Sequence, residues 1–294
     1  MDCVRLRLRK QTPPPVRKIK PYAPCRVEGV ILIPMSKKTA VALVALILLL
    51  MAALAGSAAL RESVAVDEVA HLGAGVSYLQ KLDMRMNVEH PPLAKLLAGL
   101  PLVVGGARAD YQSPAWTFGQ EGLFPAFLAQ WSFGHLFLTR WNDPAVMMAW
   151  GRLPMLLLMV ALGALIYCYG GRLGGEWGGL LAVTLYASMP TFLTFGPLVI
   201  TDVPVTFFVL LTMWTFVALW QSRPEKRTVW PFSLALAGAL LTKFSAGILL
   251  LRFWHFESAC EPARWMGSHP GARKGVLGGG ASGAPLCRAS SGPA

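Results

Sequence analysis

The chain has 294 residues, of which 54% are hydrophobic and only 14% charged, and its mean hydropathy is +0.50. Soluble domains carry about 25% charged residues, so an ordinary soluble protein is excluded and a membrane protein is expected. The net charge of +12 gathers in the first 38 residues and after Leu251, and the first of these arms abuts an apolar span. Membrane topology accounts for that placement, and no nucleic-acid partner is expected. The five cysteines (Cys3, Cys25, Cys168, Cys260 and Cys287) have no C-x-x-C spacing, so neither a disulfide framework nor a zinc site is expected.

Residues 1–34 are basic and proline-bearing, with Pro13-Pro14-Pro15, and read as a disordered extension. Met35-Ser36-Lys37-Lys38 then leads directly into apolar sequence and resembles a translation start, so residues 1–38 are set apart from the membrane region at 39–251. Thr39 to Leu60 has no charge and is long enough to cross a bilayer at about 1.5 Å per residue. Its apolar core is longer than the roughly 7–15 residues of a signal peptide, the alternative reading, in which cleavage would follow near Ala55-Gly56-Ser57-Ala58.

A long mixed segment, 61–145, holds eight acids and several aromatics, among them Tyr111, Trp116, Trp131 and Trp141. Leu93 to Val104 is apolar, short and interrupted by Pro101, which fits a helix lying in the membrane interface. Four more apolar stretches follow: Val146–Tyr169, Trp177–Phe195, Val203–Trp220 and Val229–Leu251. The expected fold is all-α and polytopic, with about five spans and an outer loop of short interfacial helices.

Orientation follows from lysine and arginine in short loops. The basic start and Arg223-Pro224-Glu225-Lys226-Arg227 are separated by four crossings, so both fall on the cytoplasmic side. Residues 61–145 and the Asp202 turn then face outward together, in a multi-pass protein of the plasma (inner) membrane. The tail, 252–294, abandons apolar patterning for Gly-Gly-Gly and scattered arginine. An out-of-frame continuation of a longer membrane protein accounts for this better than a disordered tail.

Several polar residues sit where a membrane chain rarely places them without use. Asp67 and His71 are four apart and share a helix face with Tyr78, while Glu68 and Leu72 occupy the neighbouring face. The bland reading is that the two acids complement a helix dipole. Glu68-x-x-His71 echoes a di-iron ligand pair, but the second copy that a bundle site requires is missing, so no metal site is expected. His90-Pro91-Pro92-Leu93-Ala94-Lys95 suits a helix start whose free N–H groups, with His90 and Lys95 beside them, would favour an anion. A Pro-Pro turn followed by a snorkelling lysine is the equal alternative. Asp202 reads as a helix N-cap before Pro204. Arg152 and Lys243 lie within apolar stretches, where charges usually face a cavity or a partner, although Arg152 is near enough to an end to snorkel.

Asp67-Glu68, His90-Pro91-Pro92-Leu93-x-Lys95, Gly151-Arg152-Leu153-Pro154, Thr201-Asp202-Val203-Pro204 and Leu241-Thr242-Lys243, in this order, resemble the protein O-mannosyltransferases. The related lipid A aminoarabinose transferases share the layout, and both groups are GT-C membrane glycosyltransferases. The resemblance runs from about Thr39 to Leu251. It implies transfer of mannose, or another hexose or pentose, from a polyprenyl-phosphate carrier to a protein, glycan or lipid acceptor at the outer membrane face. A divalent metal is compatible with that chemistry, and no other cofactor is implied. By the same resemblance Asp67 is the catalytic base, with Glu68 and Asp202 as further acids. His71, His90, Lys95, Arg152 and Lys243 would then bind substrate, with His90, Lys95 and Arg152 as candidates to stabilise the leaving phosphate. Members of these families have about twice as many spans, so the chain reads as a shortened form. The reading from another class is a non-catalytic membrane fragment, scaffold or transporter. A transporter should show repeat-related broken helices, and no second copy of the Asp67–Lys95 pattern is present.

Overall fold

The structure, a computed structural model, describes residues 35–221 and 226–253. The basic extension at 1–34, most of the tail at 254–294, and Arg223 to Glu225 of the basic loop lie outside the described residues. Every regular element among those described is helical, as the composition led one to expect.

Helix α1 (Lys37–Ala59) starts where Ser36 caps it, the Ser36 hydroxyl accepting the Thr39 N–H at 3.1 Å. Its 23 residues would extend about 34 Å, enough for the roughly 30 Å hydrocarbon layer. One stripe, including Ala40, Val44, Leu48, Met51 and Ala55, is buried, while Leu46, Leu49, Leu50 and Leu54 are exposed. In water that second face would be a liability. In lipid it is the expected surface.

Helices α2 (Val66–Lys81), α3 (Leu93–Val104), α4 (Pro114–Gly119) and α5 (Leu123–Leu136) make up the segment after α1, ending in a π-helical turn at Phe137–Trp141. Helix α2 is more enclosed than its amphipathic pattern suggested: everything from Ala70 to Tyr78 is buried. Glycines make this enclosure feasible. A Cβ on Gly75 would lie 2.2 Å from the Lys95 carbonyl oxygen of α3, and one on Gly134 of α5 would lie 1.9 Å from the Val69 carbonyl oxygen of α2. Backbone meets backbone at both crossings, so no larger residue fits. Trp116 and Phe133, with Tyr111 and Trp141 around them, fill the space on the α4–α5 side.

Helix α6 (Pro144–Ser188) begins at Asp143, whose carboxylate accepts the Ala145 N–H at 2.8 Å. It is broken at Gly174-Gly175, where Gly175 takes φ +66°, a conformation that favours glycine. The two arms fold back on each other. The Tyr186 hydroxyl donates to the Met159 carbonyl at 2.9 Å, and Gly170 and Gly179 let the arms touch closely. A short α7 (Pro190–Phe195), then α8 (Asp202–Gln221) and α9 (Lys226–Leu240), complete the first of two compact units, which ends at Gly247. Of the second unit, residues 248–253 are described and are helical.

Among the described residues three helices, α1, α6 and α8, are long and apolar enough to cross a membrane. The five expected spans therefore need adjustment at two places. The third stretch, 177–195, is divided between the second arm of α6 and α7 by Met189-Pro190. The fifth, 229–251, is interrupted after Leu240, and a 3₁₀ turn at Phe244–Gly247 follows. Leu93 to Val104 is a helix with Pro101 inside it, as expected.

Candidate active site

The dispersed motifs are tied together by hydrogen bonds. Glu68, in the first turn of α2, reaches Arg152 in the first arm of α6, 84 residues later. Arg152 Nε donates to Glu68 Oε1 at 2.8 Å and Nη2 to Oε2 at 2.6 Å, a bidentate pair with both residues buried. Glu68 also accepts the Ala65 N–H, capping its own helix, and the Val199 N–H, both at 2.9 Å. Arg152 completes its set on the carbonyls of Ala59, Glu62 and Ser63 at the exit from α1. A guanidinium has five N–H groups and a carboxylate about four lone-pair positions. All are occupied. Arg152 does not snorkel, and neither it nor Glu68 keeps an open position for a substrate.

Lys95 is treated similarly. Fully buried, its Nζ lies within hydrogen-bonding distance of the Asn87 carbonyl (2.6 Å), His90 carbonyl (2.7 Å), Asn87 Oδ1 (2.9 Å) and Tyr78 hydroxyl (3.0 Å). Three donors face four acceptors, so none is left for a phosphate. Loss of water pushes the Lys95 ammonium down to about 7, with Glu89 pulling in the other direction. What Lys95 holds is the segment from Met86 to Pro92. Asn87, at φ +55°, is fixed further by its side-chain amide donating to Gln130 Oε1 at 2.6 Å, and Gln130 in turn donates to Glu89 at 3.1 Å. The start of α3 is closed as well. The Leu93 N–H is taken by the Leu241 carbonyl at 2.9 Å, and Ala94 and Lys95 behind it are buried. The anion site, one of the two readings of this helix start, is thus filled by the chain itself.

His71 is buried beside this assembly, its Nδ1 2.7 Å from the Val199 carbonyl. A carbonyl only accepts, so Nδ1 carries the proton, and in the neutral ring the Nε2 lone pair is left without a partner among the described residues. Burial lowers its pKa, helped by Lys95 and His90 and opposed by the Val199 carbonyl and Asp67. His90 stands edge-on to it, ring centroids 5.6 Å apart. Its pKa is lowered by burial, then by Lys95 and Lys243, with Glu89 and Asp67 raising it. Asp67 and Lys243 therefore both act on the same imidazole, although 176 positions separate them in the chain.

The remaining charges are not enclosed. Asp67 is exposed and makes no hydrogen bond or ion pair with any described residue. Asp202, where α8 begins, pairs with Lys243 at 2.7 Å, the two side chains 65% and 33% exposed. The break after Leu240 that presents Lys243 is itself braced: Leu241 is held by Leu93, and the buried Thr242 hydroxyl donates to the Gly238 carbonyl at 2.7 Å.

All eight sequence-named residues thus belong to one neighbourhood. Reading the sequence missed Tyr78 as a hydrogen-bond partner, Asn87, Gln130 and the backbone of Val199. The one visible clue was Gln130, an amide in a largely apolar stretch. Among the described residues no three histidines, cysteines or acids converge as a metal site would require. Glu68 and His71, the Glu-x-x-His pair, spend themselves on Arg152 and Val199.

No curated protein and no solved structure matches the chain. Residues 146–261 match a family model described as dolichyl-phosphate-mannose-protein mannosyltransferase, a stretch that contains Arg152, Asp202 and Lys243 and supports membership of the GT-C glycosyltransferases.

Proposed function

We propose that the chain carries the catalytic centre of a transferase that moves a hexose or pentose from a polyprenyl-phosphate carrier to an acceptor hydroxyl, with Asp67 as base. The observation that carries it is the contrast between Asp67 and its neighbours. Of the charges in motifs resembling the mannosyltransferases, Asp67 is an exposed carboxylate with all its lone pairs unclaimed, beside a cluster of imidazoles and cations. In the reaction the acceptor oxygen attacks the anomeric carbon and yields its proton to an Asp67 oxygen. The anomeric C–O bond to phosphate breaks, and the lipid phosphate leaves with the electron pair. The buried Glu68–Arg152 pair and the Lys95 anchor hold α2 and the 86–92 segment in place for that step.

Asp67→Asn preserves shape and hydrogen bonding while removing the proton acceptor. General-base loss typically lowers rate by about 10²–10⁴-fold. The expected result, with the chain in its membrane and a radiolabelled polyprenyl-phosphate sugar, is that the wild type moves label from lipid to acceptor. Asp67→Asn should accumulate to the same level and fail to do so. Near-normal turnover by Asp67→Asn would remove it as base and leave Asp202 as the next exposed carboxylate. Label that stays on the lipid with the wild-type chain would overturn the transferase reading and favour a non-catalytic membrane protein.

A further inference from the structure

We propose that Lys243 is the cation that grips the donor's phosphate, and that Asp202 is its stand-in partner, displaced when the lipid phosphate arrives. The inference rests on the transferase reading above and adds which cation meets the donor.

Free N–H groups set the three cations apart. Arg152 has none left and Lys95 has none left. Lys243 has one hydrogen-bond acceptor among the described residues, Asp202 Oδ1, so two of its three N–H groups are uncommitted. Its location suits the task. Leu241 and Thr242 fix the backbone just before it, its charge acts on His90, and the pair it forms with Asp202 is open to the surroundings. An exposed ion pair contributes little, about 0–1 kcal/mol. The donor's phosphodiester matches the carboxylate's single charge, and the monoester that leaves on transfer, the form used as probe below, offers the ammonium more charge and more acceptor oxygens. Asp202 thereby keeps a lysine oriented in an apolar setting without binding it so tightly that the donor cannot compete.

This arrangement makes a prediction that a purely structural ion pair does not. Were the pair only a brace, losing either partner would impair the site in the same direction. Were Lys243 the phosphate ligand and Asp202 its competitor, the two variants would diverge. The probe is a sugar-free polyprenyl monophosphate titrated onto purified protein in lipid nanodiscs. Lys243→Met should weaken binding about tenfold or more, the usual scale for losing a charge-assisted contact. Lys243→Arg should retain most of the binding. Asp202→Asn should tighten binding by about two- to fivefold, because removing an exposed pair of this kind frees the ammonium. Equal weakening by Lys243→Met and Asp202→Asn would overturn the proposal, as would binding by Lys243→Met at the wild-type level. In that second case a wild-type chain that still transfers sugar leaves the transferase reading standing. A wild-type chain that binds no polyprenyl phosphate sinks both.

Discussion

Asp67 and Glu68 are neighbours in the chain and opposites in the structure. One turn of α2 sends Glu68 inward, where every lone pair is filled and the residue is fully buried. It sends Asp67 outward, where none is filled. The same division separates Arg152 and Lys95, buried with every donor used, from Lys243, half-exposed with donors to spare. Charge in this molecule thus has two uses. Saturated, it fixes the ends of α1, α2 and the 196–201 turn against one another; unsaturated, it stands where chemistry is proposed. A motif reports that a charge is present, and only its partners report which use it serves.

The largest effect should come from breaking the saturated set. Removing one member of a buried ion pair strands the other and typically destabilises by about 3–5 kcal/mol. Arg152→Ala should therefore lose most of its folded protein from the membrane, with a collapsed thermal midpoint in detergent. Asp202→Asn, at an exposed pair, should keep both. If Arg152→Ala accumulated and melted like the wild type, the division drawn here would fail at its strongest point.

A second test acts on the backbone contact that sets Lys95. A methyl group at Gly75 would stand 2.2 Å from the Lys95 carbonyl oxygen and 2.9 Å from its carbonyl carbon. Neither atom is the end of a flexible side chain, so α2 and α3 must part. Overpacking of this kind usually destabilises by about 1–3 kcal/mol. Gly75→Ala should lower the midpoint, whereas Gly171→Ala, which has no heavy atom within 4 Å of the new methyl, should leave it almost unchanged.

How far the sequence reveals all this depends on distance along the chain. The spans α1 and α8, the Pro101-bearing helix and the grouping of the motifs were legible, because composition and order are local properties. Where the apolar stretches break was not. The Leu241 carbonyl binds the Leu93 N–H, a partner 148 positions away that no hydropathy window contains. The same limit hid the fate of Arg152. Its position near a span end allowed snorkelling, but carbonyls of the α1 exit and Glu68 claim it. Lys95 looked like a phosphate ligand because it follows a Pro-Pro helix start, and its four oxygens come from Tyr78, Asn87 and His90. Two of those three are polar residues that reading the sequence had no reason to connect with it.

The subtlest test of the saturated set is a pH dependence. Lys95 has a pKa of about 7 in the folded protein against an ordinary value of 10.5. Below pH 7 both folded and unfolded chains hold the proton, so stability does not change with pH on its account. Between about 7 and 10.5 the unfolded chain still holds the proton while the folded chain has released it. The unfolded state then binds more protons, and stability rises with pH across this window. The slope for one such group is at most about 1.4 kcal/mol per pH unit. Lys95→Met removes the titrating group. Its overall stability will fall, because the oxygens it served are left unpaired, but its midpoint should lose the upward drift that the wild type shows from pH 7 to 9.5. The measurement is therefore the difference in slope, which is independent of how far the variant is destabilised. Parallel pH profiles for the two proteins would mean that Lys95 keeps an ordinary pKa in the fold, as a lysine reached by water would, and the sealed anchor described here would have to be opened to solvent.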